Sequence, residues 1–185
     1  MSTEKYIFCL EAVLDSEKSN FTPTLNGLEK LALRRIDSIY TCCDTIEEMQ
    51  ERLGALLYDD VHFKEYEIIY LVMQGTENTI CLNNYYYSLD EIAELFEGKM
   101  KGKIIHFANT KPLDLTQDEA QFFLDVSGAR AVSGYGMDSV SANSLPLDQL
   151  FFSLCQDEYD LTQVVELLHE KQYSVCKALD FRLYY

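Results

Sequence analysis

The sequence predicts an α/β fold, a three-layer sandwich in which a mostly parallel central sheet carries helices on both faces. Three observations point there. Short apolar runs break abruptly into polar residues: Ile68-Ile69-Tyr70-Leu71-Val72-Met73 stops at Gln74-Gly75-Thr76, and Lys103-Ile104-Ile105-His106-Phe107 gives way to Asn109-Thr110-Lys111-Pro112. Runs of this kind read as strands buried on both faces. Helical segments lie between them, three of them opened by a Ser or Thr followed three residues later by Glu, the capping-box signature. Strand and helix then alternate almost without exception, as crossover connections between parallel strands require.

Taken in order, Tyr6 to Leu10 is a compact apolar run suited to a central first strand, and the polar stretch Leu14 to Asn26 reads as a loop. Leu25, Leu28, Leu31 and Ala32 recur at helical spacing, and Ile36 to Tyr40 returns to a strand-like mixture. Thr45-Ile46-Glu47-Glu48 opens a helix whose apolar face is Ile46, Met49, Leu53 and Leu56 and which ends near Tyr58. A loop from Asp59 to Glu65 leads into the strand at Ile68. Thr79 to Leu82 suits an accessory strand and precedes Tyr85-Tyr86-Tyr87. Ser88-Leu89-Asp90-Glu91 opens the next helix, which Gly98 stops, and Thr116-Gln117-Asp118-Glu119 opens another that runs to Gly128. Ala129 to Ser133 makes a strand closed by Gly134-Tyr135-Gly136. Pro146 reads as the first residues of a helix carrying Leu147, Leu150, Phe151 and Leu154, and Asp160 opens one through Val164, Val165, Leu167 and Leu168. The tail from Asp180 to Tyr185 is either a last strand or a packed extension.

With 185 residues and 48% hydrophobic composition, the chain is expected to form a single domain over residues 1–185, without linker, repeat or low-complexity segment. Thirty-one acidic side chains against fifteen basic ones give a formal charge of -16. That surface repels phosphate backbones and anionic lipid, so neither nucleic acid nor membrane is an expected partner. The densest basic run, Lys99, Lys101 and Lys103, flanks a turn and reads as solvated lysines. Cys9, Cys42, Cys43, Cys81, Cys155 and Cys176 show no metal-ligand spacing, and no cofactor or metal is expected. Without a signal layout or a span-length apolar run, the expected compartment is the cytoplasm, with reduced thiols.

In open α/β sheets, ligands bind beyond the carboxyl ends of the strands, which makes the two polar breaks, after Met73 and after Phe107, the candidate site. The segments Glu67-Ile68-Ile69-Tyr70-Leu71, Ser88-Leu89-Asp90-Glu91-Ile92-Ala93, Lys103-Ile104-Ile105-His106-Phe107 and Gly128-Ala129-Arg130-Ala131-Val132-Ser133-Gly134-Tyr135, in this order and spacing, resemble the caspase-like fold of caspases, gingipains, separase and bacterial CHAT-type domains, and most closely its small bacterial members. The resemblance covers the chain from about Tyr6 to its end. It implies a His-Gly pair after one strand and a Cys after the next, the imidazole serving the leaving amine and the thiolate attacking the carbonyl. Carried over, the His-Gly position falls on Gln74-Gly75 and the Cys position on Thr110, or on Asn109 with a register one residue shorter. Gln cannot exchange a proton near neutral pH, and a Thr hydroxyl without a base is a poor nucleophile. Loss of a general base alone typically costs about 10²–10⁴ in rate. An Asp-Trp pair that the resemblance places near Val140-Ser141 is missing as well.

The resemblance therefore implies a degenerate domain without peptidase activity, acting as an interaction or regulatory module on a protein or peptide partner. Its cleft candidates are Gln74, Gly75, Asn109, Thr110, Lys111, Tyr135 and Gly136, with Ser139, Ser141 and Ser144 as further groove residues. Two alternatives stand beside it: a hydrolase with a relocated nucleophile, Cys81 or Thr110 served by His106, and a module that senses a peptide or small ligand in the vacated cleft. His106, inside a strand, reads as a hydrogen-bonded core histidine, and Cys81, between Ile80 and Leu82, as a packed thiol. His62 and His169 read as solvent-facing. Gln74, Asn109 and Thr110 either bind a ligand or only satisfy local backbone groups. Tyr85-Tyr86-Tyr87 exposes at least one ring, as a partner surface or an ordinary amphipathic edge. Glu47-Glu48 and Asp90-Glu91 are first-turn acidic residues that favour the helix dipole. Oligomeric state is not legible.

Overall fold

The computed structural model describes residues 4–13, 23–58, 60–108, 113–137 and 141–185. Among these the elements run β1 (Ile7–Ala12), α1 (Pro23–Ala32), β2 (Ser38–Cys43), α2 (Ile46–Leu57), α3 (Asp60–Phe63), β3 (Ile68–Val72), β4 (Thr79–Leu82), β5 (Tyr85–Ser88), α4 (Leu89–Leu95), β6 (Ile104–Ala108), α5 (Gln117–Ser127), β7 (Ala131–Tyr135), α6 (Ser141–Asp157), α7 (Leu161–Leu179) and β8 (Phe181–Tyr184). Six strands form one sheet in the order β2-β1-β3-β6-β7-β8. The first five are parallel, and β8 closes the edge antiparallel to β7. β4 and β5 form a separate antiparallel hairpin inserted between β3 and α4.

Alternation along the strands divides the core into two apolar layers. Phe8, Leu10, Ile69, Leu71, Ile105, Phe107 and Val132 point to one face, where α2, α4 and α5 supply Met49, Leu53, Ile92, Ala120 and Phe123. Ile7, Cys9, Ile68, Tyr70, Ile104, Ala131 and Tyr135 point to the other, covered by Leu28 of α1, Leu147 and Phe151 of α6, and Val164 and Leu168 of α7. β3, β6 and β7 are buried along their whole length, which is why they read in sequence as unbroken apolar runs. The molecule is thus the three-layer α/β sandwich that the sequence predicts.

Where the elements differ from expectation, tertiary packing has overridden local signals. α1 begins at Pro23, with proline at its first helical position, so the expected loop to Asn26 is too long at its described end. Residues 14–22 of that loop lie outside the described residues. The stretch 59–65, expected as loop, contains the single turn α3. β7 does not stop at Ser133 but continues through Gly134 and Tyr135. Gly134 is required there for space rather than for a turn, because an added Cβ would lie 2.9 Å from Leu113 Cδ2 and 3.2 Å from the Phe107 carbonyl oxygen. Nor does Pro146 mark a helix start, since α6 begins at Ser141 and carries Pro146 inside it. The missing backbone bond costs about 3 kcal/mol. Burial of Leu147, Phe151 and Phe152 offsets it at roughly 1.5–3 kcal/mol each. Lys103, expected in solvent, is only 9% exposed, its Nζ donating to the Tyr66 carbonyl at 2.9 Å.

Candidate functional site

The carboxyl ends of β3 and β6 lie side by side. Val72 pairs with Ala108, and Met73 N–H donates to the Ala108 carbonyl at 3.1 Å. The strand ends that precede the two polar breaks therefore share one edge of the sheet. Gln74 is exposed there, and its backbone carbonyl accepts from Cys81 N–H at 2.6 Å, which folds the β4–β5 hairpin back over the end of β3. Gly75 makes that fold possible, because a Cβ at this position would stand 1.8 Å from the Thr79 carbonyl oxygen. On the far side of the edge, Leu113 N–H donates to the Tyr135 carbonyl at 2.7 Å. Asp114 and Asn78 clasp one another, Asp114 N–H to Asn78 Oδ1 at 2.7 Å and Asn78 Nδ2 to the Asp114 carbonyl at 2.9 Å. Asn109, Thr110 and Lys111 lie outside the described residues, as does Ser139.

The other expected groove residues are placed differently from each other. Tyr135 opens onto no groove: it is fully buried, with its hydroxyl donated to Asp148. Ser144 is buried as well and donates to Asp148 Oδ2 at 3.3 Å. Gly136 is half-buried beneath the side chains of Asp180 and Arg182, and a Cβ there would meet Asp180 Oδ2 at 2.2 Å. Among the described candidates the open edge thus keeps Gln74, while Gly75 is buried beneath the Thr79 carbonyl and Tyr135 belongs to the layer below.

That layer holds a polar cluster. Register puts Tyr70, His106 and Ser133 in one row across β3, β6 and β7, all on the face covered by α6. Asp148 of α6 descends onto the row. Its carboxylate accepts from Tyr70 Oη at 2.7 Å through Oδ2 and lies 2.6 Å from His106 Nε2 through Oδ1, while His106 Nδ1 is 2.8 Å from Ser133 Oγ. With Tyr135 and Ser144 added, the carboxylate has four protein partners, about as many as its lone pairs can serve. Against an accepting carboxylate Nε2 carries a hydrogen, and the Ser133 hydroxyl, which can donate or accept, meets Nδ1. Burial, and next to it the Asp148 charge, pushes the Tyr70 and Tyr135 hydroxyls well above the ordinary phenol value, so both remain donors.

Ser133, His106 and Asp148 are the three residue types of a hydrolytic triad, but the arrangement cannot act as one. Each is 0% exposed, and the rings of Tyr70, Phe151 and Phe152 pack against the imidazole at centroid distances of 5.7, 5.2 and 5.3 Å. The ring nitrogens are also exchanged, since serine hydrolases set the hydroxyl on Nε2 and the carboxylate on Nδ1. The cluster is a structural tie between sheet and helix, and His106 is the hydrogen-bonded core histidine that its place in a strand suggested.

Residues 4–185 match a family described as being of unknown function (DUF6642). The chain belongs to that family. No curated protein matches the sequence. The DUF6642 match spans every element of the sandwich, so the edge at Gln74 and the cluster around Asp148 both belong to the region the family defines.

The remaining candidates fall away from the edge. Cys81 pairs with Tyr86 in the hairpin and is half-buried, and the His106 nitrogens are taken up by Asp148 and Ser133, so no Cys81–His106 pair forms. His169 sits three residues before Gln172, whose non-helical backbone (φ -140°, ψ 45°) kinks α7, so it lies at a helix end as expected, but it is half-buried rather than solvent-facing, with Nδ1 donating to the Val165 carbonyl at 2.9 Å. Tyr85 and Tyr86 are 66% and 60% exposed on β5, whereas Tyr87 packs on the core. No group of three His, Cys, Asp or Glu side chains that could hold a metal comes together among the described residues. Among them, too, no helix is long and apolar enough to cross a membrane. Sequence reasoning missed Asp148 although a signal was present: a lone carboxylate flanked by Leu147 and Phe151 on the apolar side of a helix.

Proposed function

We propose that the chain is a catalytically degenerate relative of the caspase-like peptidases, a cytoplasmic interaction or regulatory module that engages a protein or peptide partner at the carboxyl edge of β3 and β6. The observation that carries this reading is Gln74-Gly75, one residue beyond the end of β3 where the resemblance calls for His-Gly, with the end of β6 alongside. An amide in that position neither removes nor returns a proton. The nearest imidazole in sequence on the neighbouring strand, His106, has both nitrogens occupied in the core and is in no position to substitute.

Two measurements test it. The purified chain, incubated with a peptide mixture and followed by mass spectrometry, is expected to cut nothing. The double variant Gln74→His, Thr110→Cys is expected to fold and to take up iodoacetamide at residue 110, because the position after β6 should face the same edge as residue 74. Cleavage by the native chain that disappears on Cys81→Ser would establish a relocated nucleophile instead. An inert thiol at residue 110 would show that the register taken from the resemblance is wrong.

A further inference from the structure

At the end of the sheet opposite Gln74, the connection from α4 to β6 passes the C-terminal end of α2 and leaves a cleft of about 450 Å³. Four lysines line it, Lys64, Lys99, Lys101 and Lys103, together with Leu57 and the exposed ring of Tyr58. In a chain of charge -16 with only fifteen basic residues, four of them converge here, and among the described residues no Asp or Glu lines the cleft. Lys64 follows α3 directly and is separated by more than thirty residues from the others, so no basic run in the sequence includes it.

Two of the lysines are held in place. Lys103 is buried at the floor with Nζ on the Tyr66 and Phe63 carbonyls at 2.9 and 3.5 Å. Lys99 Nζ stands 4.8 Å from the Tyr58 ring centroid. Among the described residues, Lys64, Lys99 and Lys101 form no ion pair. Mutual repulsion of ammonium groups gathered in one concavity is relieved by an anion of several charges.

We propose that this cleft binds a small anion carrying two or more linked phosphate groups. Its size falls within the range of small-molecule sites, roughly 300–1,000 Å³. The donors favour phosphate over carboxylate. The described lining holds no arginine, so recognition rests on ammonium point charges, whose attraction grows with the charge the anion concentrates, and a phosphate group carries more than a carboxylate. Ammonium groups are point charges that can approach a tetrahedral, multiply charged group from several sides. Tyr58 and Leu57 add an apolar wall against which the base of a nucleoside polyphosphate would rest, whereas inorganic polyphosphate would use the lysines alone. The proposal is independent of the reading of the Gln74 edge, since the two sites occupy opposite ends of the strands.

Calorimetric titration of the intact chain with tripolyphosphate and with adenosine triphosphate, at fixed ionic strength, tests it. Binding of at least one probe is expected. The exposed pair Lys99→Gln, Lys101→Gln should weaken it about a hundredfold, roughly tenfold per lysine. The pair Lys171→Gln, Lys177→Gln on α7 changes net charge equally and should leave affinity unaltered. Unchanged thermal melting of both pairs verifies that each is folded. A loss on Tyr58→Ala confined to adenosine triphosphate assigns the nucleoside form of the ligand; equal affinities assign the inorganic one. Absence of heat with either probe, an equal loss in the α7 pair, or citrate binding as tightly as tripolyphosphate would overturn the proposal.

Discussion

Asp148 is the residue on which the layer beneath the candidate edge depends. Its carboxylate is 0% exposed and meets Tyr70, Tyr135, His106 and Ser144, drawing β3, β6 and β7 onto α6 through one side chain. Removing it leaves four buried donors, two phenols, an imidazole and the Ser144 hydroxyl, with no acceptor in place of the carboxylate. Each unsatisfied group costs roughly 1–3 kcal/mol, though the helix can shift to recover part of that. Asp148→Ala is therefore expected to destabilise the fold by about 3–5 kcal/mol, the range found when a buried charged partner is removed. Tyr70→Phe, which deletes one donor and leaves the others in place, should cost nearer 1 kcal/mol. Urea denaturation at unchanged slope measures both. A loss below about 1 kcal/mol for Asp148→Ala would mean that α6 is held by its apolar contacts alone. Nothing local to Asp148 announced this role. It follows from the row Tyr70–His106–Ser133, and such a row exists only once three strands are in register.

Ser88 shows how two elements are joined by one side chain. It is the last residue of β5 and the N-cap of α4; its Oγ accepts from Glu91 N–H at 3.1 Å while the Glu91 carboxylate accepts from Ser88 N–H at 2.7 Å. Ser88→Ala should cost about 1 kcal/mol, and hydrogen exchange should speed up in β5 as well as in the first turn of α4. Faster exchange in the helix alone would show that the hairpin is fixed independently by the Cys81–Gln74 and Leu89–Asn78 backbone bonds. Caps were the most legible part of the sequence because their bonds are local. Ser88–Glu91 and Thr116–Glu119 form the full reciprocal box, and Gly128 closes α5 at φ 78°. Thr45 forms only half of one, because the Glu48 carboxylate accepts from Asp44 N–H at 2.8 Å instead. Elements whose limits depend on distant neighbours were misjudged: β7 runs on through Gly134 because Leu113 needs the space of a missing side chain, and α6 runs back past Pro146. At the candidate edge the same division holds. The adjacency of the β3 and β6 ends follows from the alternation of elements, whereas the burial of Tyr135 depends on Asp148 and the basic cleft on Lys64, partners that lie far away along the chain.

For the whole molecule, burying so many weak acids in protonated form makes stability fall at alkaline pH. Tyr70 and Tyr135 are held well above the ordinary phenol value of 10.0 by burial first and then by Asp148. Cys9 is raised well above 9.0 by burial and by Glu11, and Cys155 is pushed up to about 12 by burial, with Lys5 and Arg130 opposing. Folded values above unfolded ones mean that the native state keeps protons which the unfolded chain releases. Stability from these groups is therefore complete below about pH 9 and declines as pH climbs from the unfolded values toward the folded ones. Each group adds a slope of up to about 1.4 kcal/mol per pH unit once its unfolded counterpart ionises. Denaturant midpoints should thus be nearly level between about pH 7 and 8 and drop steeply between about pH 9 and 11, the thiols acting first and the phenols a unit later. Phenolate absorbance read in parallel should show the last tyrosines ionising only as the fold is lost. A gradual titration of all thirteen tyrosines, with the midpoint unmoved, would mean that water reaches the Tyr70–Asp148–Tyr135 cluster in the folded state and that the two layers of the sandwich are not sealed around it.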